Sequence, residues 1–130
     1  MKLKTVLTVN CIITFLFGAG FVLFPALFSS LMGFNVAGDS ALIARGMGVF
    51  VFGTGVPTFL ARNTRESEAR RAIALSMLIL YILLVLYKLS LNLLNGIPLD
   101  LMFAAIYVIH VGLIGAYGYH LSRAPSEAES

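Results

Sequence analysis

Charge is what this sequence has least of. Only 12% of its 130 residues are Asp, Glu, Lys or Arg and 59% are apolar, against about 25% and about 45–50% in ordinary soluble domains. So few charges cannot cover so much apolar surface. That excludes a water-soluble globule and leaves a membrane protein of one domain. Cysteine is nearly absent as well. Cys11 stands alone inside the first apolar run, which excludes an internal disulfide or a Cys-x-x-Cys redox pair and leaves a small buried hydrophobe. No Asp or Glu falls within an apolar run, which disfavours proton-coupled cation export through an intramembrane carboxylate. The net charge of +3 would suit nucleic acid, but the cations collect at the ends of the apolar runs, where membrane orientation accounts for them. No nucleic-acid partner is expected.

What is present is hydrophobic length. A span needs about 20 mostly apolar residues to cross ~30 Å of hydrocarbon, and four windows qualify, at about 5–27, 40–60, 72–94 and 98–121. They form one membrane domain, 1–124, followed by a short disordered tail, 125–130. Pro25 lies near the end of the first window and Asp39 reads as the N-cap of the second. Asn95-Gly96 is a helix stop, and Pro98 suits a first helical turn. The connector before the second span and the tight turn before the fourth contain no Lys or Arg, whereas residues 62–71 contain four. Lys2, Lys4 and Arg123 complete a set of seven cations outside the spans, all on one side. The positive-inside rule makes that side cytoplasmic. The expected fold is all-α, an integral membrane four-helix bundle with both termini in. A cleaved signal peptide ending at Gly18-Ala19-Gly20 competes for the first window, but the apolar run continues through Phe21 to Phe24 without a polar break.

Lipid gives helices no hydrophobic reason to associate, so small residues that allow close backbone approach carry the packing signal. Gly46 and Gly53 on one face of the second span, and Gly48 and Gly55 on the opposed face, suggest a helix packed on both sides. Pro57 is expected to kink it. The string from Gly46 to Gly55 superficially matches a phosphate loop but lacks a preceding strand and a Lys-Ser/Thr ending. Gly112, Gly115 and Gly118 suggest a seam on the fourth span, opposite Phe103, Tyr107, His110, Ile114 and Tyr117. Tyr117, Tyr119 and His120 read as part of an inner aromatic belt.

Intramembrane polar groups are the residues that can carry chemistry. Tyr81, Lys88, Asn92 and Asn95 share one face of the third span, and Arg45 shares the glycine face of the second. Counting from Asp39 and Asn95, Arg45 and Lys88 lie about 9 and 10 Å inside the same membrane edge. Two readings compete. In one, both cations snorkel outward to Asp39, Asp100 or lipid phosphates. In the other, Arg45, Lys88, Asn92, Tyr107 and Tyr81 wall an outward-opening pocket for a quinone head group, a lipid head group or a small carboxylate, with His110 as the deepest polar group. Asn10 and Thr14 read as interhelical hydrogen-bonding glue. His110 and His120 are about 15 Å apart along one helix and cannot share an ion. No metal site, Ser/His/Asp set or carboxylate pair can be assembled.

The stretch Gly20-Phe-Val-Leu-Phe-Pro25, then Leu31-Met-Gly33-Phe, Arg45-Gly-Met-Gly48, Gly53, the Arg-rich connector and Asn95-Gly96 together resemble the DoxX-like group of small four-helix bacterial membrane proteins. That resemblance covers most of the chain and rests largely on glycines. It implies residence in a bacterial inner membrane and a place beside membrane redox systems, of which some group members look like subunits. The single cysteine departs from the thiol-linked members. Three functions are expected to compete: a non-catalytic accessory subunit that packs against a larger complex or itself, a quinone- or lipid-binding redox subunit, and a small anion transporter.

Overall fold

The structure, a computed structural model, describes residues 2–32, 35–36, 38–64, 68–95 and 101–123. All its regular elements are helices: α1 (Leu3–Leu23), α2 (Pro25–Leu31), α3 (Asp39–Ala61), α4 (Glu68–Asn95) and α5 (Leu101–Ser122). Four of the described helices, all but α2, are long and apolar enough to cross a membrane. Large apolar side chains such as Leu16, Ile43, Phe50 and Val108 stand exposed around the outside, a surface suited to hydrocarbon and not to water. This is a multi-pass membrane protein.

The helix ends follow local chemistry, with two departures from expectation. The first window does not run straight through to residue 27. A residue before proline is pushed out of the helical region, and Phe24 sits at φ −131°, ψ 59°. The chain therefore restarts as α2 with Pro25 in its first turn. At the second span, Asp39 is the first helical residue and Gly38 is the N-cap, at φ 56° and without a side-chain capping bond. Glycine enters that left-handed conformation without the Cβ penalty other residues meet. The helix then continues through Pro57 to Ala61. The described part of α4 runs to Asn95. Gly96, Pro98, Asp100 and the tail 125–130 lie outside the described residues.

Helices α1 and α3 make the closest pairing, and α4 pairs with α5. The α1–α3 seam is a backbone contact. A Cβ on Gly18 would stand 2.6 Å from the backbone nitrogen of Phe52, and one on Gly48 would stand 2.8 Å from the carbonyl oxygen of Gly18. Gly55 gives the same room to Thr14 and Phe15. Phe15 stacks on Phe52 with centroids 4.4 Å apart and closes the seam. The residues at this contact, Gly48 and Gly55 on α3 and Thr14 and Gly18 on α1, recur at helical spacing. Beyond the break, α2 folds back so that the Phe28 ring rests on Gly20, edge-on to Phe17 at 6.1 Å.

One end of the bundle is solid. Leu3, Leu7, Ala61, Ala74, Met77, Tyr81 and Tyr117 form a single buried cluster with Leu121 packed against it. The start of α1, the end of α3, the start of α4 and the end of α5 therefore meet at one end. The described cations outside the spans, Lys2, Lys4, Arg62, Arg70, Arg71 and Arg123, flank these four helix ends. Arg71 donates to the carbonyls of Leu121 at 3.2 Å and Arg123 at 3.3 Å, tying α4 to the negative end of the α5 dipole.

Candidate site: a half-open cavity above a buried polar floor

The floor is built from residues that hydropathy alone would leave unpaired. Asn10 of α1 is fully buried and accepts a hydrogen bond from the Tyr81 hydroxyl of α4. The Tyr117 ring of α5 lies nearly parallel to that of Tyr81, with centroids 6.3 Å apart, and its hydroxyl also faces the Asn10 side chain. Neither that hydroxyl nor the Asn10 amide nitrogen completes a hydrogen bond within the described residues. The bond from Tyr81 makes Asn10 a joint between α1 and α4. Thr14 differs from expectation: its hydroxyl donates to Asn10 and Cys11 carbonyls of its own helix, at 3.0 and 3.1 Å. Each turn of α1 already offers a carbonyl within reach, and a hydroxyl in hydrocarbon takes the nearest acceptor.

Above this floor, away from the basic end, the four long helices enclose a cavity of about 720 Å³. That size lies within the usual ~300–1,000 Å³ range of small-ligand pockets. Most of its wall is apolar, including Phe17 and Phe21 of α1, Met47 and Phe50 of α3, and Leu84 of α4. The polar groups on the wall are Thr14, Thr54, Tyr81, Lys88 and His110. The last three are gathered together. Tyr81 and His110 meet edge to face at 5.3 Å, and Lys88 Nζ stands 3.5 Å from His110 Nδ1 and 5.9 Å from the Tyr107 ring centroid. The His110 tautomer follows from its own turn of helix. Nδ1 is 2.6 Å from the Ile106 carbonyl oxygen; a carbonyl cannot donate, so Nδ1 carries the proton. Nδ1–H is taken by that carbonyl, and the Lys88 ammonium, a donor only, gives this corner its preference for an oxygen acceptor.

Of the residues the sequence singles out, Tyr81, Lys88 and His110 line the cavity, and Tyr107 stands behind Lys88. Asn92 is half-buried on α4 but is not part of the wall. Arg45 does not join them. It is exposed and lies outside the lining, because successive residues turn by about 100° and Arg45 points roughly 160° away from the cavity-lining Met47. The expected pairing of Arg45 with Lys88 at one level thus separates across the two flanks of α3. Asp39 is the first residue of α3, and Asp100 lies outside the described residues.

The glycines divide the same way. Gly48 and Gly55 are used in the α1 seam. A Cβ on Gly46 or Gly53 would meet nothing within 4 Å among the described residues, nor would one on Gly112, Gly115 or Gly118. Among the described residues α3 is thus packed closely on its Gly48/Gly55 face alone, and Gly112 and Gly115 are exposed on α5. Tyr117, expected in an inner aromatic belt, is fully buried in the floor. Tyr119 is the exposed ring at that level, with the Arg123 guanidinium 4.3 Å above it. The roles of Asn10 and Thr54 in one site were not legible before the helices were assembled. Their only signal was a polar side chain within an apolar run.

Neither a curated protein nor a solved structure matches this chain. A family model described as a domain of unknown function, DUF8292, matches residues 1–119, and the chain belongs to that family.

Proposed function

We propose that this protein is a non-catalytic subunit of a bacterial cytoplasmic membrane that holds an amphiphilic, lipid-soluble ligand, a quinone or a lipid with an oxygen-rich head. The observation that carries this reading is the cavity itself: apolar walls, one donor corner at Lys88 and His110, and a closed floor. Small-molecule sites have this composition, a mostly apolar surface with a few placed polar groups. The DoxX-like resemblance, with its redox-system subunits, points to the same ligand class. A floor sealed by Asn10, Tyr81 and Tyr117 makes the cavity a poor route for an anion, so the transporter reading loses ground. The basic end faces the cytoplasm under the positive-inside rule, with both termini in.

The test is native mass spectrometry of the protein released from its own membrane. Wild type should retain an amphiphile that Thr54→Phe, which fills the cavity, loses and that Lys88→Met holds at least tenfold less often. A wild-type protein that emerges empty would sink this reading. Orientation is checked with Asn63→Cys in a Cys11→Ala background: an impermeant maleimide should label it in inverted vesicles and not in intact cells.

A second reading has its own observation. The glycine row Gly112, Gly115 and Gly118 offers a helix-packing face that the described residues leave uncovered. It favours an accessory subunit that packs against a larger complex or itself, and co-purification of a partner at fixed stoichiometry is its measurement.

A further inference from the structure

The cavity is not sealed on all sides, and the position of its opening says how a ligand reaches it. From the basic end, access is blocked by the buried cluster and by the Asn10–Tyr81–Tyr117 floor. Between α1 and α3, the glycine seam brings backbone against backbone. Between α4 and α5, Tyr81, Lys88, His110 and Tyr117 interlock. Two sides remain, α1–α5 and α3–α4, where the helices touch far less than in those pairs; the lining residues on the first, Ile13, Ile109 and Leu113, are half-buried or buried, and the second is the open one. There the α3 wall consists of Ile43, Met47 and Phe50, one helical stripe. These residues line the cavity and are also 68%, 57% and 67% exposed. A side chain that is both cavity wall and outer surface marks a mouth.

That mouth opens at the depth of the spans, between apolar side chains, toward hydrocarbon. Lys88 lies seven residues from the end of α4 at Asn95, about 10 Å along the axis. The donor corner therefore lies in the half of the membrane away from the basic end. We propose that the cavity is loaded sideways from that leaflet, through the gap between the Ile43/Met47/Phe50 stripe and Leu80/Leu84, by a single-chain amphiphile whose head carries an oxygen acceptor. The chain lies among Phe17, Phe50 and Leu84, and the head rests against Lys88 and His110. A membrane-dissolved ligand entering by this mouth passes only apolar side chains. A fatty carboxylate and a prenylated quinone carbonyl share this chemistry.

This inference rests on the ligand-binding reading above, and its test separates the two. Met47→Cys and Leu84→Cys are combined in a Cys11→Ala chain, reconstituted in nanodiscs and joined by a short bismaleimide. The probes are palmitate carrying a chain diazirine and, in a parallel arm, a photoactivatable short-chain ubiquinone. Occupancy is read by photolabelling of cavity residues, and exchange by chase with excess unlabelled probe. The bridge should slow both loading and release at least tenfold, while protein loaded before bridging keeps its label on cavity residues. The arm that labels identifies the head group. If a probe occupies the cavity but exchanges equally fast with and without the bridge, lateral loading is wrong and ligand binding stands. If neither probe labels the cavity in the unbridged protein, both readings fail together.

Discussion

The two halves of this bundle solve the same problem differently. At the basic end, α1, α3, α4 and α5 converge on Leu7, Met77, Tyr81 and Tyr117, and the Tyr81 hydroxyl bonds across to Asn10. At the other end, the same helices separate around a cavity of about 720 Å³, and polar groups on its wall, Thr14, Thr54 and His110, turn to carbonyls of their own helices. Hydrocarbon gives no general drive to close that space, since lipid tails are as apolar as leucine. Only specific devices close it: glycine seams, buried hydrogen bonds and ring stacks. At the basic end the buried cluster and the bond from Tyr81 to Asn10 supply closure. The other half has them between α1 and α3 and between α4 and α5, and the α3–α4 side stays open.

The comparison can be broken first at the seam shared by both halves. Gly48→Leu drives a side chain into the Gly18 carbonyl and the Phe21 Cβ, each 2.8 Å from its first atom. Overpacking of a well-filled site costs about 3 kcal/mol or more. Denaturation in mild detergent followed by circular dichroism should show a large loss of stability, and wild-type behaviour would mean that α1 and α3 do not meet as described. Next comes the floor. A double-mutant cycle of Asn10→Ala and Tyr81→Phe should return a coupling of about 0.6–1.7 kcal/mol, the range of buried hydrogen bonds between membrane helices. A coupling of zero would remove Asn10 as the joint of α1 and α4.

Smaller still is the tie at the basic rim. Arg71→Met removes the donors to Leu121 and Arg123 and should cost about 0.3–1 kcal/mol, as expected of a cation at a helix C-terminus. The smallest effect sharpens the contrast most. Gly46→Ala adds a methyl that meets nothing within 4 Å and should be neutral or stabilising by up to ~1 kcal/mol through helix propensity. Gly48→Ala, two residues on, should destabilise despite the same propensity gain. Equal effects at the two positions would erase the distinction between a packed and an open face.

Much of this was legible in the residues. The four long apolar helices and the collection of cations at one end follow from hydropathy and charge. The break at Phe24 was also available in principle, because Pro25 bars the preceding residue from the helix. Other features were not legible. Gly46 and Gly48 read alike in sequence, yet one lines the cavity mouth and the other touches the Gly18 carbonyl. Arg45 shares a wheel sector with the glycine face, but a sector says nothing about which neighbour fills it. Asn10 and Tyr81 each read as a polar residue in an apolar run, and 71 residues separate them.

By itself, the sequence determined the solvent of this protein, the number of crossings and, because each crossing changes sides, which helix ends meet the basic connectors. Tertiary structure alone decided which face of each helix turns inward, and so where the cavity lies and that Lys88 and His110 share its wall. The reason is physical: an apolar side chain is equally at home against lipid and against another helix, so hydropathy cannot distinguish core from periphery. Only close backbone approach at Gly18, Gly48 and Gly55 and the bond between Asn10 and Tyr81 make that choice.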